Sequence, residues 1–374
     1  MRRTRGVRLR MLAATMAIVA LGLTACGGGD AATTAGTAEV DPAGVQWATE
    51  RTNAALQRPT TIPLTAPIGA PVPAGKRIAY IDCGAASCTS YIPVIRDAVS
   101  SFGWTLESVS TDGTPGSVKN AWASILRQNF DGIMYSATER SVIDNELREA
   151  ASRGIPVAAL NVIDPPTDGI TFVAGDAAAA QSFGEAAAAY TIAESGGTAR
   201  AVSFNIPGYP IIGPITKAFT ESTAQHCPGC EVEVVDIPVA SLGKDAADRI
   251  TSYLRSHPDV EFVFLTAGAL APGLPAALRS VGITGKRLLT PSSDPVVMDM
   301  ITKGELEATV SFDSFGYFYA MTDALARSFA GVPQLGPVEI QNWVIRKDTV
   351  VSTTERFPFV ADMREQYARL WATT

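Results

Sequence analysis

The chain has 374 residues, 47% of them hydrophobic and 18% charged, with a formal net charge of −7. This composition excludes an intrinsically disordered chain, and the length is sufficient for two domains of ordinary size. The acidic balance argues against a nucleic-acid partner, which would favour a basic patch.

The first 25 residues have the pattern of a secretory signal peptide. Residues 1–10 carry five arginines and no acidic residue, and residues 11–23 form an apolar run that is short for a membrane span, which needs roughly 20 apolar residues. Removal of residues 1–25 would change the net charge from −7 to −12, because five positive charges leave with them. The paired Arg2-Arg3 leaves the export route open between the general and the twin-arginine systems.

The end of this segment, Leu23-Thr24-Ala25-Cys26, resembles the lipobox of bacterial lipoproteins. The resemblance implies cleavage before Cys26, lipidation of that cysteine with acyl chains such as palmitate, and anchoring on the extracytoplasmic face of the cell membrane. The alternative is an ordinary signal peptide in which Cys26 is incidental.

Residues 26–76 are predicted to be a flexible, proline-rich tether. Three glycines follow Cys26, and residues 58–76 contain five prolines, which favour extended chain over helix. Residues 45–57 are compatible with a short helix.

From residue 77 short apolar runs alternate with amphipathic helical stretches. The runs lie at 77–82, 105–111, 131–136 and 155–161, and the alternation restarts at 199–205, 231–237, 260–266 and 287–290. This pattern predicts two parallel sheets covered by helices on both faces, and hence two similar lobes. Ligands of such sheets bind beyond the carboxyl ends of the strands.

Four further cysteines form two close pairs, Cys83 with Cys88 and Cys227 with Cys230. Outside the cytosol close pairs favour local disulfides, although the CxxC spacing of Cys227 and Cys230 is also that of a redox motif or of half a zinc site. The chain has only two histidines, which makes zinc the weaker alternative, and no metal or cofactor is predicted. A connectivity of the Cys83–Cys227 type stays open at this point.

Several segments together resemble the substrate-binding proteins of bacterial ABC importers, of the ribose-binding or type I periplasmic-binding kind. The segments include "KRIAYI", "DGIMYSATERSVIDNELREAASRGIPVAALN", "FVAGDAAAAQSFGEAAAAY", "SFNIPG" and "KGELEATVSFDSFGYFYAMTDAL". The resemblance implies an α/β fold of two Rossmann-like lobes with parallel sheets, a three-crossing hinge and a ligand cleft between the lobes. It assigns 77–175 with 313–338 to the first lobe and 176–312 with 339–374 to the second. The crossings fall near 175–176, 312–313 and 338–342.

Ligand-binding candidates come from the family positions together with neighbouring aromatic and polar residues: Thr89, Tyr91, Ile92, Tyr135, Ser136, Asn161, Tyr209, Ser292 and Phe312. Most charged groups that bind sugar hydroxyls in the family are absent; the asparagine–aspartate pair of the second lobe, for example, becomes Ala267-Gly268. A sparsely hydroxylated polyol or an amphipathic aromatic, terpenoid or steroid-derived ligand therefore becomes a hypothesis. The alternative is a sugar bound through neighbouring residues, for which the candidates are Asp82, Arg140, Asp176 and Asp294.

No GxSxG or HExxH motif is present, so we predict no catalytic residue and no enzyme. By the resemblance, the partners are a small-molecule ligand and an ABC-transporter permease in the cytoplasmic membrane, and the protein is a monomer. The alternative function is a sensor that presents a solute to a membrane receptor kinase.

Overall fold

The computed structural model describes residues 40–339 and 341–372. The predicted signal peptide and Cys26 lie outside these residues. The described residues all belong to one compact unit.

The described residues contain strands and helices in alternation. The strands are β1 Arg77–Ile81, β2 Thr105–Val109, β3 Gly132–Ser136, β4 Val157–Leu160, β5 Phe172–Ala174, β6 Arg200–Asn205, β7 Glu231–Asp236, β8 Phe262–Leu265, β9 Arg287–Thr290, β10 Ala308–Ser311 and β11 Trp343–Arg346. The α-helices are α1 Pro42–Ala55, α2 Ala86–Thr89, α3 Ile92–Ser100, α4 Pro115–Leu126, α5 Arg140–Ser152, α6 Ala177–Ser195, α7 Ile212–His226, α8 Ala246–Ser256, α9 Leu274–Ser280, α10 Pro295–Thr302, α11 Ser314–Ala330 and α12 Met363–Trp371.

The strands form two sheets, one in each lobe. The first has the order β2-β1-β3-β4-β5 and is parallel throughout, and the second has the order β11-β10-β9-β8-β6-β7. Every predicted strand is present, which confirms the α/β fold with two mainly parallel sheets. The exception to parallel pairing is β11, which runs antiparallel to β10 at the edge of the second sheet.

Central strands are buried on both faces, as parallel sheets with crossover helices require. All five residues of β3 and all four of β8 are buried. Large side chains fill the space between sheet and helices, among them the fully buried Trp122 and Phe262. Burial of such a side chain contributes about 1.5–3 kcal/mol.

The chain passes from one sheet to the other at three places. After β5 it crosses at Gly175 and Asp176, where the Asp176 carboxylate accepts a hydrogen bond of 3.0 Å from the Ala179 amide and caps α6. It returns between β10 and α11 at Phe312 and Asp313, and crosses again between α11 and β11. The Cβ of a larger residue at Gly175, which has φ +65°, would lie 2.3 Å from Asn161 Oδ1.

Residues 40–76 are packed on both lobes, which differs from the flexible tether that the sequence predicts for this stretch. We call this segment the N-terminal strap. Its helix α1, anticipated as a short helix over 45–57, packs on α6 and α7 of the second lobe. The Trp47 ring stacks on His226 with 3.7 Å between ring centroids.

The second half of the strap lies on the first lobe. Leu64 and Ile68 are buried in its core, and the Trp104 indole N–H donates a hydrogen bond of 2.8 Å to the Pro73 carbonyl. Between the two halves of the strap, Arg58 Nε donates a hydrogen bond of 2.7 Å to the carbonyl of Phe359 in the second lobe. The strap therefore adds a fourth link between the lobes.

Helix α12 packs on the first lobe, whereas the sequence assigns residues 339–374 to the second. The Tyr367 ring packs at a tilt against Tyr319 of α11, with 4.8 Å between ring centroids, and Trp371 packs on Phe102 at 4.6 Å. The amphipathic pattern of α12 shows that one face is buried but does not show on which lobe.

Gly44 provides a test of the strap. A Cβ at this position would lie 1.7 Å from the His226 carbonyl oxygen, so α1 can approach α7 only through a glycine. We expect Gly44→Ala to lower the free energy of unfolding by about 1–3 kcal/mol, measured by urea denaturation.

The matched control is Gly116→Ala in α4, where an added Cβ meets no heavy atom within 4 Å. This variant should be neutral or stabilised by roughly 0.5–1 kcal/mol. Equal stability of the two variants would contradict the docking of α1.

Candidate ligand-binding cleft

A cavity of about 150 Å³ lies between the two lobes. Its walls are the segments that follow the carboxyl ends of strands in both sheets, as expected for this architecture. The residues that line it are Cys83, Ala85, Ser87, Cys88, Tyr91, Ala137, Asn161, Gly175, Ala180, Phe183, Ile206, Tyr209, Ile211, Ile212, Ile215, Leu242, Thr266, Ala267, Gly268, Ala269, Pro291, Ser292, Ser293, Asp294, Phe312 and Arg356.

On the first lobe, the wall is shaped by a disulfide. Cys83 and Cys88 are bonded to each other across the loop after β1, and Cys227 is bonded to Cys230 at the end of α7. These two local bonds confirm the predicted disulfides and exclude the Cys83–Cys227 alternative. The first of them fixes the loop that leads to Tyr91.

The second lobe contributes a mainly apolar wall. Ile211, Ile212 and Ile215 come from the start of α7, and Ile206 and Leu242 from neighbouring loops. Branched aliphatic side chains at this wall favour contact with the apolar part of a ligand over hydrogen bonding.

Polar groups are concentrated in one cluster around Asp294. Its Oδ2 accepts a hydrogen bond of 2.8 Å from the Ser292 hydroxyl, and its Oδ1 accepts from Arg356. Arg356 is buried, which lowers the pKa of its guanidinium by removing water from the charge. Removal of one partner from a buried ion pair costs about 3–5 kcal/mol.

The absence of a side chain at Gly268 leaves the space that Ser292 and Asp294 occupy. A Cβ at this position would lie 2.5 Å from Ser292 Oγ and 3.4 Å from Asp294 Oδ2. Gly268 is the position at which the family resemblance places an aspartate, and the Asp294 carboxylate lies beside it.

Five of the nine predicted ligand-binding residues line the cavity: Tyr91, Asn161, Tyr209, Ser292 and Phe312. Tyr91 and Phe312 are neighbours, with 5.9 Å between ring centroids. Phe312 also packs against Phe183, a lining residue that the sequence reasoning did not select.

The other four lie outside the cavity wall. Thr89 donates a hydrogen bond of 3.3 Å to Asp82, and Ile92 begins α3. Tyr135 points to the opposite face of the first sheet, where it packs on Trp122, and Ser136 is hydrogen-bonded to Tyr80. Adjacent strand residues point to opposite faces, so a pattern of aromatic residues cannot by itself tell cleft from core.

Among the charged neighbours considered as an alternative, Asp294 lines the cavity and the other three do not. Asp82 accepts a hydrogen bond from the Gly84 amide, and Arg140 binds the carbonyls of the loop 165–168. Arg356 was missed, because no motif marks it and it lies in an irregular segment after the last strand.

Asp313 is buried at the second crossing, beside Phe312. Burial raises the pKa of its carboxyl from 3.8 to about 6, against backbone N–H groups that favour the charged form. Between these values the folded protein binds a proton that the unfolded chain has released, so the free energy of unfolding falls as pH rises.

We expect Asp313→Asn to remove this part of the pH dependence. Wild-type stability relative to the variant should fall by roughly 2–3 kcal/mol between pH 4 and pH 6.5, measured by denaturant unfolding at each pH. Parallel pH curves for the two proteins would contradict the buried position of this carboxyl.

A profile of the periplasmic binding protein domain matches residues 89–331, about two thirds of the chain. The chain belongs to the periplasmic binding protein family. This is a family of binding proteins rather than enzymes, in agreement with the sequence prediction. No curated protein matches the chain.

Solved structures share the fold at low sequence identity. A sugar ABC transporter protein from Yersinia enterocolitica has a TM-score of 0.66 at 17% identity, covering 79% of this chain and 91% of that one. A solute-binding protein from Agrobacterium vitis bound to α-D-tagatopyranose has a TM-score of 0.63 at 20% identity, with 74% and 96% covered. A 5-methylthioribose transporter solute-binding protein from Thermotoga lettingae has a TM-score of 0.64 at 16% identity, covering 74% of this chain and 88% of that one.

Proposed function

We propose that this protein is an extracytoplasmic solute-binding lipoprotein, which captures a small organic ligand by lobe closure and delivers it to the permease of an ABC importer. The observation that carries the proposal is the cavity built jointly by both lobes at the carboxyl ends of their strands. A ligand enclosed there contacts both lobes at once and so stabilises the closed arrangement. Family membership and the transport proteins among the similar structures support the transport role.

The size of the cavity favours a compact ligand. A volume of about 150 Å³ is of the order of an engineered cavity that holds one benzene molecule, roughly 150 Å³. A sugar or polyol of five or six carbons, or a single-ring compound, suits this volume better than a steroid. The similar structures include an arabinose-binding protein and a 5-methylthioribose transporter solute-binding protein, which supports the sugar-like class.

The position of the domain at the membrane follows from the proposed lipid anchor at Cys26. Among the described residues no helix is long and apolar enough to cross a bilayer. The permease partner, the monomeric state and the location on the extracytoplasmic face of the cell membrane are part of this proposal.

Ligand capture can be tested with a thermal-shift screen of sugars and polyols against aromatic and steroid-like compounds. A ligand at one hundred times its dissociation constant should stabilise the protein by about 2.7 kcal/mol. Phe312→Ala should weaken binding of any hit about tenfold or more, because Phe312 lines the cavity between the lobes.

The matched control is Tyr135→Phe. Tyr135 lies outside the cavity wall, and its hydroxyl has no hydrogen-bond partner among the described residues. The affinity of the Tyr135→Phe variant for the ligand should equal that of the wild type. A loss of affinity in Tyr135→Phe but not in Phe312→Ala would place the ligand elsewhere.

The lipid anchor is tested by Cys26→Ala in the exporting cell. The variant should move from the membrane fraction to the soluble extracytoplasmic fraction, because acylation needs the cysteine sulfur. Membrane retention of the variant would contradict the anchor.

The alternative function is a sensor that presents a bound solute to a membrane receptor kinase. The same cavity would serve either role. Reconstitution of ligand-stimulated ATP hydrolysis with a neighbouring permease and ATPase separates transport from sensing.

A further inference from the structure

One arginine of the second lobe reaches across the cleft to the first. Arg356 lies between β11 and α12, and the adjacent Phe357 is buried with Phe359 and Trp343 in the core of the second lobe. The Arg356 side chain is only 5% exposed. The backbone at Arg356 is therefore anchored in the second lobe, and the guanidinium is enclosed in the cavity wall.

Its partners come from both lobes. On the first lobe, Nε and Nη2 donate hydrogen bonds of 3.1 and 2.8 Å to Ser90 Oγ, and the guanidinium lies 4.5 Å from the centre of the Tyr91 ring. On the second lobe, Nη2 donates to Asp294, and Nη1 lies 3.4 Å from Ser293 Oγ. These contacts join residues that approach each other only when the lobes are together.

We propose that Arg356 and Asp294 form an interlobe clasp that recognises adjacent hydroxyl groups of a neutral ligand. The inference rests on the proposed function, since it takes the cavity as the ligand site. Beyond that function, the clasp identifies two residues that hold the lobes together and the chemical class of ligand that they select.

The hydrogen-bonding capacity of the pair leaves room for a ligand. A guanidinium has five N–H donors, and the contacts above use four of them, while the Tyr91 hydroxyl is a further hydrogen-bond partner. A ligand hydroxyl can replace the weakest of these partners, the Ser293 hydroxyl at 3.4 Å from Nη1. Each carboxylate oxygen of Asp294 accepts one hydrogen bond in the described part of the chain and can accept another. One hydroxyl can accept from Arg356 while its neighbour donates to Asp294.

The charge of the pair disfavours an anion. Asp294 already neutralises Arg356, so a carboxylate or phosphate would be a second negative charge beside Asp294 in a site shielded from water. A neutral diol brings no such charge. The isoleucine-rich wall then suits an apolar part of the same molecule, such as a deoxy, alkyl or thioether substituent.

The clasp can be tested without a ligand, by small-angle X-ray scattering of Ala38–Thr374, the compact unit with its own cores. Arg356→Ala should give a larger radius of gyration than the wild type, because the link to Ser90 is lost. Arg364→Ala is the matched control, since Arg364 pairs with Asp97 at 2.9 Å within the first lobe. Equal radii of gyration in the Arg356→Ala variant and the wild type would overturn the clasp. Circular dichroism establishes that each variant is folded.

Ligand class is tested by calorimetry with neutral and anionic probes. The neutral probes are 5-methylthioribose, tagatose and allitol, and the anionic probes are ribose 5-phosphate and galacturonate. We expect the wild type to bind the neutral probes at least tenfold more tightly than the anionic probes. The affinity for the neutral probes should fall tenfold or more in Arg356→Ala and in Asp294→Asn, and should be unchanged in Arg364→Ala.

The outcomes separate the two proposals. Tighter binding of an anionic probe by the wild type would overturn the hydroxyl class and leave solute capture standing. Neutral binding that is unaffected in both Arg356→Ala and Asp294→Asn would overturn the assignment of these residues and again leave solute capture standing. Failure of every probe, together with an unchanged radius in Arg356→Ala, would overturn both.

Discussion

The architecture depends on one constraint of parallel sheets: two neighbouring strands that run in the same direction can be joined only by a crossover. Each crossover helix covers one face of the sheet, and every strand then ends at the same edge. In this protein both sheets bring their carboxyl-terminal edges to one cavity, so loops far apart in sequence become its walls. The arrangement gives each lobe one half of a site.

The N-terminal strap links the two lobes in addition to the three chain crossings. Its helix packs on the second lobe through Trp47 and Gly44, and its proline-rich part lies on the first through Leu64 and Ile68. Proline fixes φ and removes a backbone donor, which suits an extended chain lying on a surface as well as it suits a mobile linker. Any opening of the lobes must therefore also bend or release the strap.

The cavity combines an apolar wall with one buried ion pair. Because the Arg356 charge is balanced by Asp294, the pair can stay buried without an ion from solution. A few placed polar groups in an apolar cavity select a ligand by the penalty for leaving any of them unpaired. Tyr91 is part of the same arrangement, since its ring contacts both the guanidinium and Phe312.

Much of the fold was predictable because strand and helix periodicity is local. All eight predicted strands are present, and both disulfides join cysteines that are close in sequence. The short strands β5, β10 and β11 were missed, and the strap was misjudged, because strands of three or four residues and buried extended segments leave no clear period in the sequence. Tyr135 and Ser136 were selected for their residue types and proved to be a core aromatic and a hydrogen-bond partner of Tyr80.

The sequence by itself determined the two-lobed α/β fold, the local disulfides and about half of the candidate site, since these follow from patterns within short stretches and from family positions. Only the tertiary structure decided which lobe receives α12, that residues 40–76 are packed, and that Arg356 enters the cleft. The physical reason is distance along the chain. Arg356 is 266 residues from Ser90 and 62 from Asp294, and no local preference records a contact that exists only after both lobes have folded.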